Sequence, residues 1–189
     1  MRIISGFHKG RKIIAPRKLP VRPTTDMAKE GLFNILNNLV KFKDLKVLDL
    51  FAGSGNISYE FCSRGAGPVT AVDENFECIK FIKKTATELE LDLTPFKSDV
   101  YKFLDKTPGL FDVIFADPPY NFSEGEFQKI AYIVFERKIL SASGILIIEH
   151  SKHTDLSHTP NFKSSRRYGN SVFSFFEESV ADGSTTKNN

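Results

Sequence analysis

The sequence has no uninterrupted apolar run of the roughly 18 residues that a membrane-spanning helix requires, and its N-terminus lacks the apolar core of a secretory signal. A cytoplasmic protein without membrane contact is expected. Cysteine is scarce. Cys62 and Cys78 fall in helix-like patterns without metal-ligand spacing, so they read as packing thiols, and no disulfide, zinc site or redox chemistry is suggested. Acidic residues are missing altogether from the first 25 positions, which hold Arg2, Lys9, Arg11, Lys12, Arg17, Lys18 and Arg22. Of 26 lysines and arginines seven fall there, leaving 19 against 23 acids in the rest. A basic arm is thus joined to a mildly acidic body. Interleaved with Gly6, Phe7, His8 and Gly10, it has the character of a phosphate-binding surface, with Lys9, Arg11, Lys12 and Arg22 as the candidate contacts, since each neutralised phosphate releases counterions.

What is present suits one domain of ordinary size: 189 residues, 41% apolar and 26% charged. Residues 1–40 read as the basic extension and a first helix, 41–180 as the main domain, and 181–189 as a disordered polar tail. Ile3-Ile4 and Ile13-Ile14 flank two glycines, as in a short hairpin. Thr24, Thr25 and Asp26 supply N-cap oxygens ahead of Ala28, Leu32, Ile35, Leu36 and Leu39, spaced as one helical face. Strands are expected at 46–50, 69–73, 93–97, 111–116 and 144–149, the third weak and broken by Pro95. Helices alternate with them at 56–64, 76–89 and 124–137, with a helical turn near 101–104. A final hairpin, 162–167 and 172–177, turns at Gly169-Asn170. Such alternation predicts an α/β fold with a doubly wound, mainly parallel sheet, whose ligands bind beyond the carboxyl ends of the strands.

Those strand ends carry the chemistry. The first runs into Asp49-Leu50-Phe51-Ala52-Gly53-Ser54-Gly55, where glycines two apart allow a tight turn and close approach of a ligand. A dinucleotide fingerprint would have a third glycine where Ser58 stands, and a Walker loop would need Gly-Lys-Ser/Thr. Asp73 ends the second strand, placed either to accept from ribose hydroxyls or to cap a helix. Asp99 follows the third strand, either near an adenine amino group or as another cap. The fourth strand stops at Asp117-Pro118-Pro119-Tyr120, because proline cannot donate to a sheet ladder.

Jointly, Asp49-x-Phe-x-Gly-x-Gly, Asp73 and Asp117-Pro-Pro-Tyr resemble the class I S-adenosylmethionine-dependent methyltransferases. The resemblance implies a Rossmann-like, seven-stranded sheet with an antiparallel C-terminal hairpin and S-adenosylmethionine as cofactor. Asp49, Phe51, Gly53 and Gly55 would face its methionine portion, Asp73 its ribose and Asp99 its adenine. Asp117, Pro118 and Tyr120 would act on a conjugated amino nitrogen: the carboxylate and the Pro118 carbonyl accept its hydrogens, and the tyrosine stacks on the base. Met1-Arg-Ile-Ile-Ser-Gly, Lys9-Gly-Arg-Lys12, Arg22-Pro-Thr-Thr-Asp26, Lys29-Glu-Gly-Leu-Phe-Asn34 and Ser63-Arg-Gly-Ala66 resemble more narrowly the RsmD family of bacterial 16S ribosomal RNA guanine-N2 methyltransferases. That implies methylation of a guanine 2-amino group in 16S rRNA, within a partly assembled small subunit, by a monomer needing no metal. Ser58 departs from the family's glycine, with an effect expected only on local helix packing, and 151–159 is short for a full helix. A DNA adenine-N6 methyltransferase would share the acidic tetrapeptide, and a catalytically idle RNA-binding module would share the arm and the fold.

Overall fold

Period-two apolar runs and 3.6-residue amphipathic stretches alternate along the chain, and each type needs the other to cover its apolar face. The computed structural model describes residues 1–19, 21 and 25–178. Its elements are α1 (Asp26–Leu39), β1 (Val47–Leu50), α2 (Asn56–Ser63), β2 (Val69–Asp73), α3 (Phe76–Glu88), β3 (Leu93–Lys97), α4 (Val100–Lys106), β4 (Phe111–Ala116), α5 (Glu124–Glu136), β5 (Leu140–Ser151), β6 (Phe162–Tyr168) and β7 (Ser171–Glu177). The strands form one sheet in the order β3-β2-β1-β4-β5-β7-β6. β7 alone runs antiparallel to its neighbours β5 and β6.

Alternating side chains divide the core between the two faces of the sheet. Val47, Val113, Phe115, Ile147 and Phe173 pack beneath α1, α2 and α3, whereas Leu48, Leu50, Ile114, Leu146 and Ile148 meet α4 and α5. Strand order reverses between β1 and β4, which opens a crevice beyond their carboxyl ends.

Several boundaries differ from the sequence expectation for identifiable reasons. Pro95 does not break β3, because that strand lies at the sheet edge, where a missing N–H costs no ladder bond. β5 starts at Leu140 rather than 144, and its pairing with β4 shifts register between Phe111 and Val113. The turn near 101–104 extends to a helix over Val100–Lys106 capped by Asp99. Thr25 caps α1 by accepting from the Ala28 N–H, while Thr24 and the 181–189 tail lie outside the described residues. Leu39, expected on the packed face of α1, is half exposed in its last turn. Ser151 ends β5, and residues 152–159 form turns and irregular backbone with no helix.

The basic arm is a pinned hairpin. Ile3 and Gly10 N–H groups donate to Arg11 and Ile3 carbonyls at 3.0 and 2.9 Å, and Ile3 and Ile13 enter the core beside α1 and α2. Glu60 on α2 accepts from the Ile4 and Ser5 N–H groups at 2.8 and 3.0 Å, and Arg64 Nε donates to it at 2.9 Å. Phe7 N–H donates to the Ser63 carbonyl at 2.7 Å. Gly6, at φ +83°, passes so close that an added Cβ would overlap that carbonyl. Lys29 completes the cluster, fully buried 3.7 Å from Glu60, its ammonium donating to the Arg2 carbonyl at 2.6 Å. Desolvation lowers its pKa, and the Glu60 charge opposes that shift. Among the described residues no helix is long and apolar enough to cross a membrane.

Candidate active site

One cavity of about 680 Å³ occupies the crevice. In spatial strand order its rim is set by Asp99 after β3, Asp73 ending β2, Asp49 in β1, Asp117 after β4, Glu149 in β5 and Ser171 opening β7. Residues separated by up to 122 positions are thereby gathered on one side of the sheet.

The loop after β1 gains its shape from unusual backbone angles. Phe51, Gly53 and Gly55 have φ of 59°, 54° and 80°. For the two glycines this is unstrained, but an aromatic residue there is a true outlier, of the kind that collects at ligand sites. Phe51 is held by the edge of Phe122, 5.6 Å between centroids. The turn aims the Gly53 N–H at Asp73 Oδ2, 2.8 Å away, while the Asn75 N–H donates to Oδ1 at 2.8 Å. Asp73 is therefore fixed in orientation, and each oxygen has a second lone pair for a ligand hydroxyl. Helix α3 is capped by Asn75, so Asp73 is not its cap. Asp99 does cap α4, accepting from the Lys102 N–H at 2.9 Å, and it also lines the cavity. Gly53 lines the cavity too. Gly55 serves packing: a Cβ there would stand 2.7 Å from the Tyr59 ring.

Asp49 is buried, 2% exposed. Its Oδ2 accepts both the N–H of Ser58, at 3.1 Å, and the Ser58 hydroxyl in a short bond. Desolvation raises its pKa to about 7, the two Ser58 bonds work against that rise, and the nearby Asp73 charge adds to it. Ser58 thus bears directly on a carboxylate of the cavity, which corrects the expectation that it affects only helix packing. Ser58 is the third residue of α2, in its first turn, and nothing in the sequence marks which carboxylate it meets.

A family profile described as conserved hypothetical protein 95 matches residues 1–177. The chain belongs to this family. It is 32% identical to the ribosomal RNA small subunit methyltransferase D of Haemophilus influenzae, over 86% of this chain and 84% of that one. Among solved structures, the Thermus thermophilus hypothetical protein TTHA0928 superposes with a TM-score of 0.81 at 24% identity, covering 94% of this chain and 99% of that one. The 16S rRNA N2 G1207 methyltransferase RsmC of T. thermophilus, solved with AdoMet and guanosine, shares the fold at a TM-score of 0.67 and 19% identity, covering 84% and 45%.

Within this family member, Asp117, Pro118, Pro119 and Tyr120 follow β4 directly and line the cavity beside Phe122. Pro118 is buried and Tyr120 is 40% exposed, so the loop presents a rigid inner wall and an aromatic lip. Lys9, Arg11 and Lys12 are exposed on the hairpin, away from the cavity lining, and Arg22 lies outside the described residues. Sequence reasoning missed Glu149 and Asn56, which also line the cavity. Both positions read as ordinary strand and helix residues until the fold brings them to the same cavity as Asp117, Glu149 through the pairing of β5 with β4.

Proposed function

We propose that the protein methylates the exocyclic 2-amino group of a guanine in 16S rRNA, using S-adenosylmethionine. The observation that carries this reading is the placement of Asp117-Pro118-Pro119-Tyr120 on the same cavity as Asp49, Asp73 and Asp99. The cavity volume falls within the range of small-molecule sites. The residues present fit the cofactor: Asp73 for the ribose hydroxyls, Asp99 near the adenine, and the Phe51–Gly53 turn against the methionine portion. At Gly53, φ is +54° and an added Cβ would stand 3.1 Å from the Val21 side chain, so a larger residue here would be strained and tightly packed. When bound, S-adenosylmethionine supplies an electrophilic methyl group.

The chain's own task is to make a poor nucleophile attack. The amino lone pair of a nucleobase is delocalised into the ring, and attack requires it to be localised on nitrogen. Asp117 and the Pro118 carbonyl each accept one amino hydrogen, which favours the pyramidal nitrogen. The prolines fix those acceptors, and Tyr120 stacks on the base face. In-line proximity then contributes more than basicity, and Asp117 takes up the departing proton.

The substrate class rests on the family, whose Haemophilus member is named a small-subunit rRNA methyltransferase. Lys9, Arg11 and Lys12 supply phosphate contacts on the hairpin, and Arg22 is the fourth candidate. The enzyme acts as a cytoplasmic monomer on a partly assembled small subunit. The rival DNA adenine-N6 activity shares the tetrapeptide but is not favoured by family membership. Mass spectrometry of 16S rRNA from cells with and without the gene tests the reading. Loss of one 2-methylguanine is expected, and an unchanged rRNA with altered adenine methylation of DNA would overturn it.

A further inference from the structure

The rim of the cavity divides at β4. Asp99, Asp73 and Asp49 lie on the side of β3, β2 and β1, and the methyltransferase resemblance implies a cofactor role for each of them. On the other side stand Glu149 of β5 and Ser171 of β7, and Thr25 and Asn56 at the starts of α1 and α2 also line the cavity. If Asp117 holds the reacting nitrogen, the rest of the target base lies on this second side.

Glu149 is the acidic residue there. In the parallel pairing of β4 with β5, Ala116 sits opposite Ile148, so Asp117 and Glu149 are the next positions on adjacent chains. Adjacent strands run about 4.8 Å apart. Glu149 leaves the sheet on the face of Ile147, toward α1 and α2, and Phe173 is its registered partner on β7. It is 2% exposed although it lines the cavity. Asn56, which lines the same cavity, is held by the buried Lys29 ammonium, which donates to its Oδ1 at 2.8 Å.

We propose that Glu149 is the residue that selects guanine, accepting the base's N1–H while Asp117 and the Pro118 carbonyl accept the 2-amino hydrogens. This rests on the guanine reading above and deepens it. Guanine presents N1–H and the 2-amino group side by side as donors, and an ionised carboxylate can only accept. Adenine would turn a lone pair at N1 toward the same carboxylate. Two adjacent acidic strand ends therefore complement one base edge and repel the other.

The test uses small subunits reconstituted with 16S rRNA carrying either guanine or 2-aminopurine at the methylated nucleotide. 2-Aminopurine keeps the 2-amino group but has a bare N1, and it also lacks O6. Single-turnover rates are compared for the parent and for Glu149→Gln, whose amide can offer an N–H to the bare N1. The missing O6 affects both enzymes and cancels in the ratio of their preferences. The parent should prefer guanine, and the variant should lose about ten- to a hundredfold of that preference, as expected of one good base contact. A variant that folds, binds cofactor and keeps the parent's preference would overturn the assignment. Should Glu149→Gln not fold, Glu149→Asp takes its place: a shortened carboxylate should relax the preference, and an unaltered ratio counts against Glu149. A parent that methylates both substrates equally also removes this role while leaving guanine methylation intact. A parent inactive on the guanine subunit would instead overturn the proposed function.

Discussion

Asp117 and Tyr120 lie in one loop but should fail differently. In the proposed reaction Asp117 is needed most when the amino nitrogen becomes pyramidal, so Asp117→Ala should lower turnover by about 10²–10⁴ with cofactor affinity little changed. Tyr120→Phe keeps the stacking face and should retain most activity, whereas Tyr120→Ala should lose about 1–3 kcal/mol of base binding. Single-turnover kinetics separates the two. Asp49 makes stability depend on pH. Its carboxyl is held up to about 7 by burial, against an unfolded value of 3.8, so the folded state keeps a proton that the unfolded chain releases. The stability this gives is complete below pH 4 and is lost as pH rises through 7. Asp49→Asn, which retains an acceptor for both Ser58 donors, should therefore raise the melting temperature at pH 8 more than at pH 4. An equal shift at both values would show that the carboxyl titrates normally. Ser58→Gly removes one donor to the charged form, and the pH at which cofactor affinity reaches half its maximum should move upward. Asp49, Asp73 and Asp117 were legible in the sequence because each stands at or beside the carboxyl end of a strand. The bond from Ser58 was not, since a serine in a helix offers no sign of which carboxylate lies beneath it.

At the level of elements, the N-terminal hairpin and α2 behave as one unit held by Glu60. Glu60→Ala would release the Ile4 and Ser5 amides and leave Lys29 buried opposite no carboxylate. Removing one member of such a pair costs about 3–5 kcal/mol. Hydrogen exchange should show Ile4 and Ser5 losing protection while the β1 and β4 amides remain slow, and uniform loss would mean that the hairpin is no separate unit. Neutralising Lys9, Arg11 and Lys12 should flatten the salt dependence of RNA binding, by up to ~0.7 in log-log slope for each phosphate of single-stranded RNA that no longer meets a cation. An unchanged slope would make the hairpin a solvated surface. The acid-free stretch that marks this element was plain in the sequence. Its rigidity was hidden, because Lys29 and Glu60 on amphipathic helices read as solvent-facing charges until α1 and α2 are packed against each other.

For the molecule as a whole, the alternation of strand and helix periods foretold the sheet, and the reversal of strand order at β1 and β4 places the cavity. What the alternation could not convey is which distant strand ends become neighbours. Glu149 acquires meaning only because β5 lies next to β4. The central claim is that the cavity joins a methyl donor to the 2-amino group of a guanine. Its most direct test is single-turnover methylation of reconstituted small subunits that carry guanine or inosine at the modified nucleotide, since inosine differs only in lacking that amino group. Methyl transfer to the guanine subunit and none to the inosine subunit at that nucleotide is the predicted result, and methylation of the inosine there would contradict it.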